Sequence, residues 1–209
     1  MTGAARPLPG LPIVAIMRGV RPDEVLEICD GLVSRNIRRL EVPLNSPDAF
    51  RSINLMKKHF GDAALIGAGT VLHPDQVSRL AELDCDLVVA PNFDPDVVAA
   101  TKSAGMISCP GVFTPSEAFA ALTAGADILK YFPAELNGPP AIKAWRAVLP
   151  AGTQIMATGG TNADTLAGWM DAGVDMVGVG SALYKPGRIA SDVIAGADAL
   201  VRAYHELEG

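Results

Sequence analysis

The sequence predicts a closed (β/α)8 barrel of the TIM type, a parallel α/β fold, on three observations. Eight short runs rich in Val, Ile and Leu recur along the chain. Each is followed by a polar or proline-containing turn and then an amphipathic stretch, the order that repeated strand–helix units produce. The runs are continuously apolar instead of alternating, as strands covered on both faces must be. An open doubly wound sheet is the second architecture that fits the pattern, and 209 residues lies at the small end for a barrel.

In chain order, residues 13–17 form the first run, and Pro22-Asp23-Glu24 opens the helix after it. Run 39–44 leads to Pro47-Asp48, run 64–68 to Pro74-Asp75, and run 87–90 to Pro95-Asp96. Each supplies a proline and an acid in a first helical turn, where a missing N–H and a negative charge are both tolerated. Run 106–109 leads to Thr114-Pro115-Ser116-Glu117, which has an N-cap, a proline at N1 and a glutamate at N3 and so predicts a capping box. Runs 128–132, 155–157 and 176–179 complete the set, and Asn162-Ala163-Asp164 starts the helix after the seventh. Gly105, Gly125 and Gly173 stand where helices should end. Ala124-Gly125-Ala126-Asp127 and Ala172-Gly173-Val174-Asp175 repeat one helix-to-strand turn two units apart. The first run and the short seventh are the weakest strand signals.

Composition narrows the function. Hydrophobic residues make up 49% of the chain and charged residues 19%, enough apolar content for a packed core and too much for disorder. No linker or low-complexity stretch divides the sequence, so one domain over residues 1–209 is expected, with residues 1–10 as a short N-terminal extension. No apolar run approaches the ~20 residues of a membrane helix, and the N-terminus lacks the pattern of a signal peptide. The expectation is a cytoplasmic protein with no membrane partner. A formal net charge of −6 argues against nucleic acid as the main partner, although local donors can still bind a small anion. Cys29, Cys85 and Cys109 show no metal-type spacing and read as free buried thiols. His59, His73 and His205 are far apart, so no metal site and no cofactor is expected.

In such a barrel the chemistry sits at the C-terminal ends of the strands. Lys130 is the sharpest residue there. It lies in Asp127-Ile128-Leu129-Lys130-Tyr131-Phe132-Pro133, with apolar neighbours on both sides, whereas the other five of the six lysines fall in helical or loop contexts. A desolvated lysine has a lowered pKa and a nucleophilic free amine; the alternative is a structural ion pair. Glu41 ends the second run, where partial burial would suit it to proton transfer or where it could simply pair with Lys130 or Arg18. Arg18 could clamp a carboxylate in two-point fashion or make a rim salt bridge. Thr70, after Gly67-Ala68-Gly69, offers a hydroxyl and nearby amides to an anion. Pro91 and Asn92 end the fourth run, Phe132 follows Lys130, and Thr158 precedes Gly159-Gly160. Gly159-Gly160 and Gly178-Val179-Gly180-Ser181 end the last two runs, where these barrels bind phosphate through backbone N–H groups. A dinucleotide site is not expected, since no GxGxxG motif opens an early helix.

With those residues in place the sequence resembles the class I 2-keto-3-deoxy-6-phosphogluconate/6-phosphogalactonate (KDPG/KHG/KDPGal) aldolase family, from Leu11 to about His205. The resemblance rests on Ala15-Ile16-Met17-Arg18-Gly19, Glu41-Val42-Pro43-Leu44-Asn45-Ser46-Pro47, Ile66-Gly67-Ala68-Gly69-Thr70-Val71-Leu72, Pro110-Gly111, Leu129-Lys130-Tyr131-Phe132-Pro133, Gly159-Gly160 and Val179-Gly180-Ser181. It implies a metal-free homotrimer with Lys130 as Schiff-base lysine and Glu41 as general acid/base. It also implies Arg18 and Thr70 near the pyruvyl portion, and Gly159, Gly160, Gly180 and Ser181 around the phosphate; Pro91, Phe132 and Thr158 join the substrate-binding set. The implied reaction is the reversible cleavage of 2-dehydro-3-deoxy-6-phospho-D-galactonate to pyruvate and D-glyceraldehyde 3-phosphate. Pro43 and Asn45 resemble the galactonate branch, whereas Thr158 resembles the gluconate branch, so they point opposite ways on the C4 configuration. The competing readings are a gluconate-specific, dual-specificity or 4-hydroxy-2-oxoglutarate aldolase, a phosphosugar isomerase that forms no covalent intermediate, and a non-catalytic phosphosugar-binding protein.

Overall fold

Parallel strands with both faces covered must sit between a packed interior and a jacket of helices, and the apolar runs build that arrangement. The computed structural model describes residues 9–208; residues 1–8, and with them most of the expected N-terminal extension, lie outside the described residues. Among the described residues there are nine parallel strands: β1 (Ile13–Ile16), β2 (Arg39–Pro43), β3 (Leu65–Gly69), β4 (Leu87–Val89), β5 (Ile107–Cys109), β6 (Gly111–Val112), β7 (Ile128–Tyr131), β8 (Gln154–Thr158) and β9 (Met176–Val179). They run side by side in the order β5-β4-β3-β2-β1-β9-β8-β7-β6.

The expected count of eight is therefore corrected to nine, and Pro110 is the reason. The fifth run continues beyond Cys109, but a proline has no N–H to give a ladder. The chain pairs with β4 before Pro110 and with β7 after it. Hydrogen bonds from Asp127 N to the Ser108 carbonyl (3.0 Å) and from Lys130 N to the Pro110 carbonyl (2.9 Å) span the break. The sheet is thereby a nearly closed barrel.

Eight α-helices of the described residues surround it: α1 (Val25–Val33), α2 (Ala49–Phe60), α3 (Pro74–Glu82), α4 (Pro95–Ser103), α5 (Pro115–Thr123), α6 (Pro139–Arg146), α7 (Ala163–Ala172) and α8 (Ala190–Glu208). The capping box at Thr114 forms as expected, and Asn162 caps α7 in the same way. Asp94 caps α4 by accepting from two backbone N–H groups. Pro22-Asp23-Glu24 form a turn that precedes α1 instead of its first helical residues.

Alternation along each strand decides which side chains face the interior. Leu40 and Val42 of β2, and Leu129 and Tyr131 of β7, pack outward into the large core beneath the helices. Val14, Leu87, Val89, Cys109, Ile128, Met156 and Met176 fill the inside of the barrel. Glu41 and Lys130, lying between outward-facing neighbours, consequently project into that interior.

The aspartate that closes both copies of the repeat noted in the sequence has a third counterpart, Asp86, at the N-terminal end of the barrel. Asp86, Asp127 and Asp175 stand immediately before β4, β7 and β9. Each accepts the backbone N–H of the neighbouring strand, from Ile66 (3.0 Å), Ser108 (2.8 Å) and Ile155 (2.7 Å). Each also pairs with a base on an even-numbered helix: Lys57 of α2 (2.9 Å), Lys102 of α4 (2.6 Å) and Arg146 of α6. One residue type at one place thus ties a helix to two strands three times over.

Candidate active site

The opposite, C-terminal end of the barrel opens into a cleft of about 550 Å³. Lys130 enters it from β7 and is only 4% exposed. Its Nζ lies 4.8 Å from the centroid of the Phe132 ring. A cation so enclosed loses hydration, and burial lowers the pKa of Lys130 below the ordinary lysine value; the charge of Glu41 opposes that fall, and Arg18 adds to it. The amine is therefore held toward the neutral, nucleophilic form.

Glu41, 1% exposed on β2, is the facing acid. Burial lifts its pKa to about 7, against the pull of Lys130 and Arg18. Its Oε2 has no hydrogen-bond partner, an unusual state for a buried carboxylate and one that suits a group awaiting a proton. The room it occupies comes from Gly69 of β3, where a Cβ would collide with the carboxylate. Cys109 lies close enough to respond to both charges, and burial pushes its thiol up to about 12, so it remains a neutral thiol.

Arg18 follows β1 at the rim. Its guanidinium donates to Asn45 Oδ1 at 2.6 Å and to Thr70 Oγ1 at 3.3 Å. The adjacent Gly19 N–H donates to Ser46 Oγ at 2.8 Å. Thr70 adopts φ +55°, a left-handed conformation uncommon for a threonine and of the kind that surrounding contacts must hold in place at functional sites. These bonds draw the ends of β1, β2 and β3 into one cluster beside the Lys130–Glu41 pair.

The far end of the cleft is lined by Gly159, Gly160, Gly180 and Ser181. Gly159 and Gly160 take φ +111° and +66°, which an L side chain rarely adopts. Glu135 also packs against both: a Cβ on Gly159 would strike its carboxylate, and one on Gly160 would come within 2.8 Å of its Cβ. Between the two ends stands Thr158, 6% exposed, whose Oγ1 has no partner. Bare backbone at one end, a dry amine–carboxylate pair at the other and a waiting hydroxyl between them suit an extended molecule with a keto acid head and an anionic tail.

The model of the KDPG and KHG aldolase family matches residues 6–199. The chain belongs to the KDPG and KHG aldolase family. It is 45% identical over 196 residues to the 2-dehydro-3-deoxy-6-phosphogalactonate aldolase of Escherichia coli K12, covering 94% of this chain and 96% of that protein. It is also 45% identical to a probable 2-dehydro-3-deoxy-6-phosphogalactonate aldolase of Rhizobium meliloti 1021, over 97% of each chain. A solved native KDPGal structure superposes with a TM-score of 0.92 at 45% identity, covering 94% of this chain and 95% of that one.

Of the residues singled out from the sequence of this aldolase, Arg18, Lys130, Phe132, Thr158, Gly159, Gly160, Gly180 and Ser181 line the cleft. Glu41 and Thr70 are outside that lining; Glu41 feels the charges of Lys130 and Arg18, and Thr70 accepts a hydrogen bond from Arg18. Pro91 lies apart from the cleft lining, against Gly111, where a Cβ would meet its carbonyl. Sequence reasoning passed over Glu135 and Lys185, which also line the cleft. Both lie in loops with no motif to mark them, although Glu135 comes five residues after Lys130, in the short 3-10 turn Ala134–Leu136 that the end of β7 leads into. Among the described residues no group of three or more His, Cys, Asp or Glu could hold a metal ion, and no helix is long and apolar enough to cross a membrane.

Proposed function

We propose that the protein is a class I aldolase that reversibly cleaves 2-dehydro-3-deoxy-6-phospho-D-galactonate to pyruvate and D-glyceraldehyde 3-phosphate. The observation that carries the reading is the buried Lys130 amine facing a Glu41 carboxyl whose pKa is raised to about 7. The Lys130 amine adds to the C2 ketone, and the protonated Glu41 carboxyl gives its proton to the departing hydroxyl, so that water leaves, an iminium ion forms and Glu41 is left as the carboxylate. That cation accepts the electron pair of the C3–C4 bond as it breaks, while the Glu41 carboxylate takes the C4 hydroxyl proton and glyceraldehyde 3-phosphate departs. Glu41 then returns the proton to C3 of the enamine. Hydrolysis of the resulting iminium frees pyruvate and restores the amine. Arg18 and Thr70 hold the carboxylate end, and the amides of Gly159, Gly160, Gly180 and Ser181 hold the phosphate. Remote binding energy thereby aligns the reacting carbons.

The galactonate assignment rests on Pro43 and Asn45 and on the two 45%-identical relatives. The unpartnered hydroxyl of Thr158 favours a second reading, activity on the gluconate epimer as well. Residues 1–209 act as one domain in this reading, an eight-unit barrel in which residues 107–112 serve as one interrupted stave. It assembles as a homotrimer in the cytoplasm and needs no added cofactor. The test is borohydride reduction in the presence of pyruvate, followed by mass analysis of the peptide containing Lys130. A pyruvate-derived adduct on Lys130 is the expected result. An unmodified Lys130 peptide from active enzyme would leave the isomerase-type reading, in which Lys130 acts only through its charge.

A further inference from the structure

Backbone amides bring only partial charges to a phosphate dianion, and the glycine cradle here carries an opposing charge. Glu135 packs its side chain against Gly159 and Gly160 and lines the same cleft. A phosphate lodged there needs a cation to offset both its own charge and that carboxylate. The cationic residues lining the cleft are Arg18, Lys130 and Lys185. Arg18 is tied to Asn45 and Thr70 at the keto acid end, and Lys130 is the buried nucleophile. Arg188, nearby in the chain, spends its guanidinium on the carbonyls of Ala182 (2.8 Å) and Leu183 (2.7 Å). Those bonds brace the helical turn that follows β9, in which the Leu183 and Tyr184 N–H groups donate to the Gly180 carbonyl. Lys185 leaves that braced turn directly and is exposed at the cleft.

We infer that Lys185 is a phosphate-binding and specificity-determining residue: its ammonium supplies the full positive charge that the Gly159, Gly160 and Gly180 amides lack, and it selects phosphorylated over unphosphorylated aldehydes. The inference rests on the aldolase reading above and adds a charged side chain of the same cleft to its phosphate site. A lysine suits this place, since it acts as a mobile point charge on a flexible stem and can follow the phosphate as the aldehyde leaves.

The experiment runs the reaction in the condensation direction, pairing pyruvate with D-glyceraldehyde 3-phosphate or with unphosphorylated D-glyceraldehyde, on wild type, Lys185→Ala, Lys185→Glu and Lys185→Arg. Lys185→Ala should raise KM for the phosphorylated aldehyde by about tenfold, as loss of one charge-assisted contact does, and Lys185→Glu should raise it further. In both variants kcat/KM for unphosphorylated glyceraldehyde and borohydride trapping of pyruvate should stay at wild-type levels, and Lys185→Arg should recover most of the loss. An unchanged KM for the phosphorylated aldehyde in Lys185→Ala, or an equal loss on both aldehydes, overturns the assignment. Wild-type enzyme that traps no pyruvate and condenses neither aldehyde would instead remove the aldolase reading on which the assignment stands.

Discussion

Replacing Glu41 by Gln should move activity and stability in opposite directions. In the wild-type protein burial lifts the Glu41 carboxyl from an ordinary 4.5 to about 7. Cleavage needs the carboxylate, so its rate should climb with pH and level off above 7; at about pH 5 it should stand ~100-fold below the plateau. The same shift acts on stability with a definite sign. Between pH 4.5 and about 7 the folded protein holds a proton that the unfolded chain has already released, so stability falls as pH rises through that window. Each tenfold in protonation is about 1.4 kcal/mol, so keeping Glu41 ionised inside the barrel costs about 3 kcal/mol. Glutamine cannot ionise, and Lys130, already held toward neutrality by burial, can shed its proton when its counter-charge goes. Glu41→Gln should therefore lose ~10²–10⁴ in cleavage rate along with the acid limb. Near pH 8 it should be more stable than wild type by up to about 3 kcal/mol, a margin that disappears near pH 4. Steady-state pyruvate release across pH and urea unfolding at the two pH values measure both. A Gln variant that keeps the wild-type rate, or that is less stable near pH 8, would refute the reasoning.

Three further predictions are independent of that one. Arg18→Ala should raise KM for pyruvate in the condensation reaction by ~10–100-fold, the worth of a charged hydrogen bond, with the fold unchanged by circular dichroism. Gly160→Ala should force a side chain into φ +66° and against the Glu135 Cβ; it should destabilise by ~1–2 kcal/mol and weaken phosphorylated aldehyde binding while pyruvate trapping persists. Lys57→Met breaks a pair whose two side chains are each about 10% exposed or less. It should cost about 3 kcal/mol in urea unfolding and leave kcat unchanged, because the pair lies at the end of the barrel away from the cleft.

The barrel was legible because each unit carries its own local grammar. Thr114 and Asn162 announce helix starts through side chains that can bond only to the N–H groups of a first turn, and Gly105, Gly125 and Gly173 mark exits with φ between +74° and +97°. Lys130 and Glu41 stood out because a charged residue inside an apolar strand has few places to go. The missed features are those set by tertiary contact. Pro110 reads as the end of a strand, and only the switch of partners from β4 to β7 shows that the chain continues the sheet beyond it. Glu135 and Lys185 sit in turns whose direction depends on the ends of β7 and β9, so no spacing rule brings them to one cleft.

The acids at the two ends of the barrel are treated in opposite ways. At the N-terminal end every acid of the threefold repeat is fully engaged. Asp86, Asp127 and Asp175 each take a strand N–H and a basic side chain, and such saturation fixes strand against strand and helix against sheet. At the C-terminal end the pairing is withheld. Glu41 keeps an oxygen without a partner, Thr158 keeps a hydroxyl without one, and Thr70 is held in a left-handed conformation. Each of those choices costs stability, as buried unsatisfied groups and strained residues do. The sequence separates the two tasks by position: acids just before β4, β7 and β9 brace the fold, and polar residues near the ends of β2 and β8 are left wanting a substrate. A substitution that satisfies Glu41 internally should for that reason make a more stable barrel and a worse catalyst.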